Sequence, residues 1–155
     1  MVIPAMSLNK TIYVLVIFIL LFTGISPAQL LDSGTSEKKT VRFKENSFLV
    51  EVAQSRQKQI QGLMFVKSLP PDSGMLFIYE HQADRAFYMK NTYIPLDIIW
   101  MDKDKKVVFI KKNAKPANSN VYETIHPEKE AMYVLELNAG TSDKIGLKIG
   151  DLLQF

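Results

Sequence analysis

Apolar and polar positions follow one another in short segments along most of this chain, and turn residues punctuate them. Phe48, Val50 and Val52 alternate with Leu49 and Glu51, the period of two that sends successive side chains to opposite faces of a strand. Thr40 to Phe43 reads as a partner strand, with Glu45-Asn46 as the turn between them. Gln54 to Gln61 (QSRQKQIQ) holds helix formers and no breaker; Ile60, Leu63 and Met64 fall on one helical face, and Gly62 supplies a stop. Leu69-Pro70-Pro71-Asp72-Ser73-Gly74 is a dense turn signal. Short apolar runs follow at Met75 to Tyr79, Arg85 to Met89, Leu96 to Met101, Lys106 to Lys111, Ala131 to Leu137 and Leu152 to Phe155. Pro95 disfavours helix at Ile94 and marks a bend, and Asp102 to Lys105 separates two apolar runs as a hairpin loop. Ser142 to Ile145 is long enough for one helical turn, with Thr141 as its cap and Gly146 as its end. Short strands with turn signals roughly every ten residues predict a mainly β fold of two packed sheets, a β-sandwich or flattened barrel, with one or two short helices. The runs IIWM and VVFI predict strands covered on both faces. A regular strand–helix alternation is missing, which argues against a doubly wound parallel sheet.

The amino terminus follows a different pattern. Ile12 to Phe22 is apolar throughout; Lys10 precedes it, Gly24 breaks it, and Ser26-Pro27-Ala28 offers small residues for cleavage after Ala28. This predicts a signal peptide over residues 1–28, a polar linker over 29–39 and one β-rich domain over 40–155. Extended to Ile25, the apolar run has 14 residues, short of the roughly 20 that span a bilayer. The expected location is therefore periplasmic or extracellular. The alternative is a chain tethered to the membrane by the uncleaved segment, its only expected membrane contact.

Composition narrows the chemistry. The 155 residues, 47% of them apolar, suffice for one packed domain. The net charge is +3, and Lys10 in the leader accounts for one of those charges. Such weak basicity argues against nucleic acid as a partner. With no cysteine, disulfides, thiolate catalysis and cysteine metal sites are excluded.

The densest polar group is Arg85, Tyr88, Lys90, Asn91, Thr92 and Asp97. It offers hydrogen-bonding groups for a small polar ligand, with Tyr88, Tyr93 or Trp100 as an apolar wall. In the structural alternative, Asn91 and Thr92 satisfy turn backbone groups and Lys90 pairs with Asp97. Glu136 interrupts the apolar run VLEL. It either faces solvent or turns inward, where it needs a partner such as Lys90 or Arg85. An inward Glu136 with Asp97 would resemble the carboxylate pair of a glycoside hydrolase. His81 and His126 lack any metal-ligand spacing with the nearby Glu80, Asp84, Glu123 and Glu128 and read as exposed loop residues. No nucleophile-elbow, phosphate-loop or cofactor motif is present. The lysines at 103, 105, 106, 111, 112 and 115, interrupted by Asp102 and Asp104, read as edge-strand lysines.

The segments GLMFVKSLP from Gly62, SGMLFIYE from Ser73, FYMKNTYIPLDIIWMD from Phe87 and YVLELNAGTSDKIGLKIGD from Tyr133 together resemble the family called domain of unknown function 192. The resemblance implies a compact β-sandwich-like domain, often behind a signal peptide or lipid anchor, and it implies no reaction. Many relatives place a cysteine pair in the loop at about Asn118 to Tyr122; this chain has none. The resulting expectation is a non-enzymatic, exported ligand-binding or accessory domain without a cofactor, its partner a small polar ligand or an envelope protein. The alternatives are an envelope hydrolase using Asp97 and Glu136, and a protein-interaction module.

Overall fold

The alternating segment at Phe48 forms β2 (Asn46–Ala53), hairpinned to β1 (Lys38–Phe43). These strands open the computed structural model, which describes residues 36–117 and 122–155. The expected signal peptide and its cleavage site lie outside the described residues. β1 begins at Lys38, two residues before the expected start. The turn falls on Lys44-Glu45, one residue earlier than read, because Lys44 takes a positive φ of 52°. Phe48, Val50 and Val52 are buried and Leu49 and Glu51 exposed, as their alternation predicts.

After β2 come α1 (Arg56–Gln61), β3 (Ser73–Ala83), β4 (Phe87–Tyr88), β5 (Leu96–Met101), β6 (Val107–Ala114), β7 (Thr124–Ile125), β8 (Ala131–Asn138) and α2 (Thr141–Lys144). The main sheet has the order β1-β2-β3-β8-β5-β6, and β4 and β7 form a second, two-stranded sheet. The fold is thus mainly β with two unequal sheets. The large sheet stays open, with β1 and β6 at its edges, so the flattened-barrel alternative does not hold. β2 and β3 run parallel, with α1 in the connection. The other pairings in the main sheet are antiparallel.

Two cores lie on the two faces of the main sheet. Met75, Phe77, Leu96, Ile98, Trp100 and Val134 pack with Phe87, Met89 and Ile125 on one face. Leu76, Ile99, Met101, Leu135 and Leu137 pack with Val41, Phe43, Leu147 and Leu153 on the other. β5 is buried along its whole length, Asp97 included, as its run IIWM predicts. β6 is only half-buried at Val108, Phe109 and Ile110, because it is an edge.

Several local expectations change. α1 buries none of its residues; Ile60 is 57% exposed, and Leu63, beyond the helix end, reaches the core instead. The helix is held by a Ser55 cap and by Gln59, whose amide donates to the Ile78 carbonyl at 2.9 Å. Only Phe87-Tyr88 of the Arg85 to Met89 run pairs as a strand. Leu152 to Phe155 makes two isolated bridges, to Lys106 and Arg42, in place of a full strand. Gly140, at φ 83°, takes the cap position of α2, so Thr141 lies inside the helix.

Candidate functional site

Glu136 sits in the middle of β8, opposite Met75 of β3 and Ile98 of β5. Residues paired across adjacent strands share a face, so its side chain enters the first core among apolar neighbours. It is 6% exposed, and its Oε2 has no hydrogen-bond partner among the described residues. Burial pushes this carboxyl from an ordinary 4.5 up to about 8, because an ion is poorly solvated there. The solvent-facing reading of Glu136 is therefore wrong: β8 is an inner strand with both faces covered.

Glu136 is a lining residue of a cavity of about 70 Å³. Phe77 and Tyr79 of β3 and Phe87 and Tyr88 of β4 wall it, the segment Gln59 to Met64 covers it, and Thr92 borders it. Ile60 and Tyr88 form an exposed rim. Gly62 is the close cover: at φ 49° it takes a backbone conformation that side chains rarely adopt. A Cβ built there would lie 3.3 Å from the Phe77 ring and 4.0 Å from Glu136 Oε2. The rings are fixed from beneath, with Phe77 edge-on to Phe87 at 4.9 Å and Phe87 edge-on to Trp100 at 5.5 Å. The Trp100 indole donates to the Arg85 carbonyl at 2.7 Å. Trp100 thus supports the wall and does not line it.

Arg85 does not pair with Glu136. Its guanidinium lies 4.0 Å from the centre of the Tyr79 ring and donates to the His81 carbonyl at 2.6 Å. Burial pushes the Tyr79 phenol up to about 12; Arg85 opposes that shift and Glu136 adds to it. The phenol therefore stays neutral, a hydrogen-bonding group beside the carboxyl.

Met89 to Thr92 forms a tight turn, with the Thr92 amide donating to the Met89 carbonyl at 3.1 Å. Asn91 is its third residue, at φ 53°, a position where a turn of this kind favours glycine or asparagine. The Asn91 carbonyl accepts from the Phe65 amide at 2.8 Å, which ties the turn to the segment covering the cavity. Lys90 points to the Tyr122 ring, 6.0 Å from its centre.

Asp97 is elsewhere. It pairs with Leu137, so it faces the second core, opposite to Glu136. There it accepts from the Asn113 amide at 2.9 Å, the Ser142 amide at 2.8 Å and the Ser142 hydroxyl. The expected Lys90–Asp97 pair does not form, because Asp97 is saturated by α2 and the end of β6. The Asp97–Glu136 carboxylate pair fails for a plainer reason: the sheet lies between them.

Of the seven residues singled out in the sequence, the fold gathers Tyr88, Thr92 and Glu136 at one cavity, with Arg85 behind its Tyr79 wall. Lys90 and Asn91 build the adjoining turn, and Asp97 is set apart. Gly62, Phe77, Tyr79 and Phe87 were read only as a helix stop and strand residues. A hint lay in Tyr79, a phenol ending an otherwise apolar run. His81 is exposed as expected, though it lies within β3. No cluster of three metal-ligating side chains occurs among the described residues. Two other concavities, near Phe48 and Lys144 and beside α1, have no buried ionisable group in their walls.

The same arrangement of strands recurs in solved structures. A protein of Sinorhizobium meliloti 1021, described as a proposed transcription regulator, shares 35% identity over 77% of this chain and 94% of its own, with a TM-score of 0.70. A protein of unknown function from Novosphingobium aromaticivorans shares 32% identity over 81% of this chain and 89% of its own, also with a TM-score of 0.70. A UPF0127 protein of Thermococcus kodakarensis is 27% identical over 108 residues, which are 68% of this chain and 64% of that protein's length. The family pattern described as DUF192, Uncharacterized ACR, matches residues 38–155, from the start of β1 to the last residue, and the chain belongs to that family.

Proposed function

We propose that this chain is an exported, non-enzymatic binding domain that takes a small polar ligand in the Glu136 cavity. One observation carries the reading: a buried carboxyl in the wall of an aromatic-lined cavity leaves an oxygen without a partner among the described residues. A residue needed only for packing would be apolar here, as its register partners Met75 and Ile98 are. Burying a carboxyl without a partner is unfavourable, so a ligand that bonds to it supplies the missing compensation. The apolar run at Ile12 to Phe22 supports export.

Thermal melting of the chain against small polar compounds tests the site, with Glu136→Gln and Tyr79→Phe beside the parent. A ligand at a hundred times its Kd adds about 2.7 kcal/mol to stability, a shift of several degrees for a domain of this size. The parent is expected to shift and Glu136→Gln to lose the shift. Lys90→Ala, outside the cavity, is expected to keep it. A shift that Glu136→Gln retains in full places the ligand elsewhere.

A protein-interaction role has one specific observation behind it. Phe65 is 57% exposed at a positive φ of 66° and packs edge-on against the exposed Tyr93. Phe65→Ser with unchanged capture of an envelope partner counts against that role. The hydrolase role has no such support, since Asp97 and Glu136 occupy opposite faces of the sheet. Transcription regulation, named for the Sinorhizobium relative, draws none from the lysine-rich hairpin, where Asp102 and Asp104 interrupt the positive charge.

A further inference from the structure

Among the described residues, the side chains around the Glu136 cavity include one acid and no base. Gln59, Gln61 and Thr92 are neutral and polar, Tyr79 and Tyr88 are phenols, and the other lining groups are apolar or glycine. Arg85 does not line the cavity: its guanidinium lies over the Tyr79 ring and donates to the His81 carbonyl, with its buried Nε unpartnered among the described residues, and Lys90 lies near the Tyr122 ring. Among the described residues, then, no protein donor meets Glu136 Oε2. Four aromatic rings, those of Phe77, Tyr79, Phe87 and Tyr88, line the cavity. Aromatic faces attract cations, and Arg85 on Tyr79 shows one ring of this wall already holding one.

We propose that the ligand of this site is a protonated primary amine, whose ammonium group enters the cavity and donates to Glu136 Oε2. This rests on the binding reading above and names its ligand class. A primary ammonium provides what the cavity lacks, N–H donors and a positive charge against a buried carboxylate. A cavity of about 70 Å³ admits a head group of a few heavy atoms. Among the described lining residues, an anionic ligand would meet a carboxyl and no cation. A quaternary ammonium would bring charge without the donor that the orphaned oxygen needs.

Proton movement gives this class a signature. The unliganded carboxyl is protonated at neutral pH, since burial raises it to about 8. The amine arrives as RNH₃⁺, so the carboxyl proton goes to solvent, and the bound state is a carboxylate–ammonium pair. From β8 itself no other ionisable group faces the carboxyl. β3 contributes the Tyr79 phenol with Arg85 on its ring, β4 contributes Tyr88, and α1 contributes only neutral glutamines. Affinity is therefore expected to rise about tenfold per pH unit up to about pH 8 and then level off.

The experiment is titration of the full chain with n-butylammonium and with Nα-acetyl-lysine amide, followed by NMR and by calorimetry in buffers of different ionisation enthalpy. The neutral isostere n-butanol, tetramethylammonium and the variant Glu136→Gln run beside them. The proposal expects weak, saturable binding of the primary amines, as suits ligands of few atoms. It expects release of nearly one proton per ligand at neutral pH, and loss of at least tenfold in affinity with loss of the proton release in Glu136→Gln. Tighter binding of the lysine amide would identify a peptide side chain as the source of the amine, and tighter binding of butylammonium a free amine. Binding of n-butanol as tight as that of the amine, without proton release, would overturn the amine class and leave the cavity as a ligand site. If neither cationic nor neutral probes perturb the Phe77, Phe87 and Glu136 resonances, both this inference and the binding reading fail.

Discussion

At the scale of single residues, Glu136 sets the largest pH effect. Unfolded, its carboxyl titrates near 4.5; folded, near 8. Below 4.5 both states hold the proton and the group contributes no penalty. Between those values the folded chain keeps a proton that the unfolded chain has lost. Stability therefore falls as pH rises, by up to about 1.4 kcal/mol per unit, and the loss is complete above about pH 8. Glu136→Gln is expected to melt near the parent at pH 4.5 and above it at pH 8; melting curves of both proteins across that range check this. Parallel curves would show that the buried carboxyl is ionised throughout. Gly74 is a second single-residue constraint. A Cβ there would lie 2.3 Å from the Glu136 carbonyl oxygen and 2.7 Å from Leu137, so Gly74→Ala is expected to cost about 3 kcal/mol in urea unfolding through overpacking. Neither effect was legible in the chain as written. Gly74 read as turn punctuation, and Glu136 as an interruption whose direction depends on what lies on each side of β8.

At the scale of elements, two short helices are attached in different ways. α2 is fastened by Asp97, which accepts from the Ser142 amide and hydroxyl and from the Asn113 amide. Asp97→Ala would leave these donors unpaired, Ser142 among them fully buried. A loss of about 3 kcal/mol in urea unfolding is expected, with the affinity of the Glu136 cavity unchanged on the other face. Loss of ligand affinity in a still-folded Asp97→Ala would contradict the division of the two faces. α1 has no buried residue and depends on its cap and on Gln59. Ser55→Ala is expected to cost about 1 kcal/mol, and faster amide exchange confined to Arg56 to Gly62 would confirm that the cap is local. The helix was legible because QSRQKQIQ has no breaker and ends at a glycine. Its packing was misread because Ile60, Leu63 and Met64 imply an apolar face, whereas the chain leaves helical geometry at Gly62 before Leu63 reaches the core.

At the scale of the whole molecule, one sheet separates two cores, and β8 and β5 contribute to both. A shared central sheet couples the faces, so the domain is expected to unfold in one transition. Trp100 fluorescence, which reports the Glu136 side, and far-ultraviolet circular dichroism should give coincident curves; separate midpoints would show that one face can melt alone. The period of two, the turns at Pro70 and Pro95, the apolar run IIWM of β5 and hence a mainly β domain are readable from the order of residues alone. That order also determined the family, through the run from Met89 to Ile98. These are local properties, set by side-chain spacing and by the torsions that glycine and proline allow or forbid. Strand order, the parallel pairing of β2 with β3, and the register that puts Ile98 beside Glu136 but Asp97 beside Leu137 were decided only by the tertiary structure. The physical reason is that a strand offers hydrogen-bonding groups along both edges, and which strand occupies each edge depends on the joint burial of distant segments. The same register turned two carboxylates from a possible pair into a helix clamp on one face and a lone acid on the other.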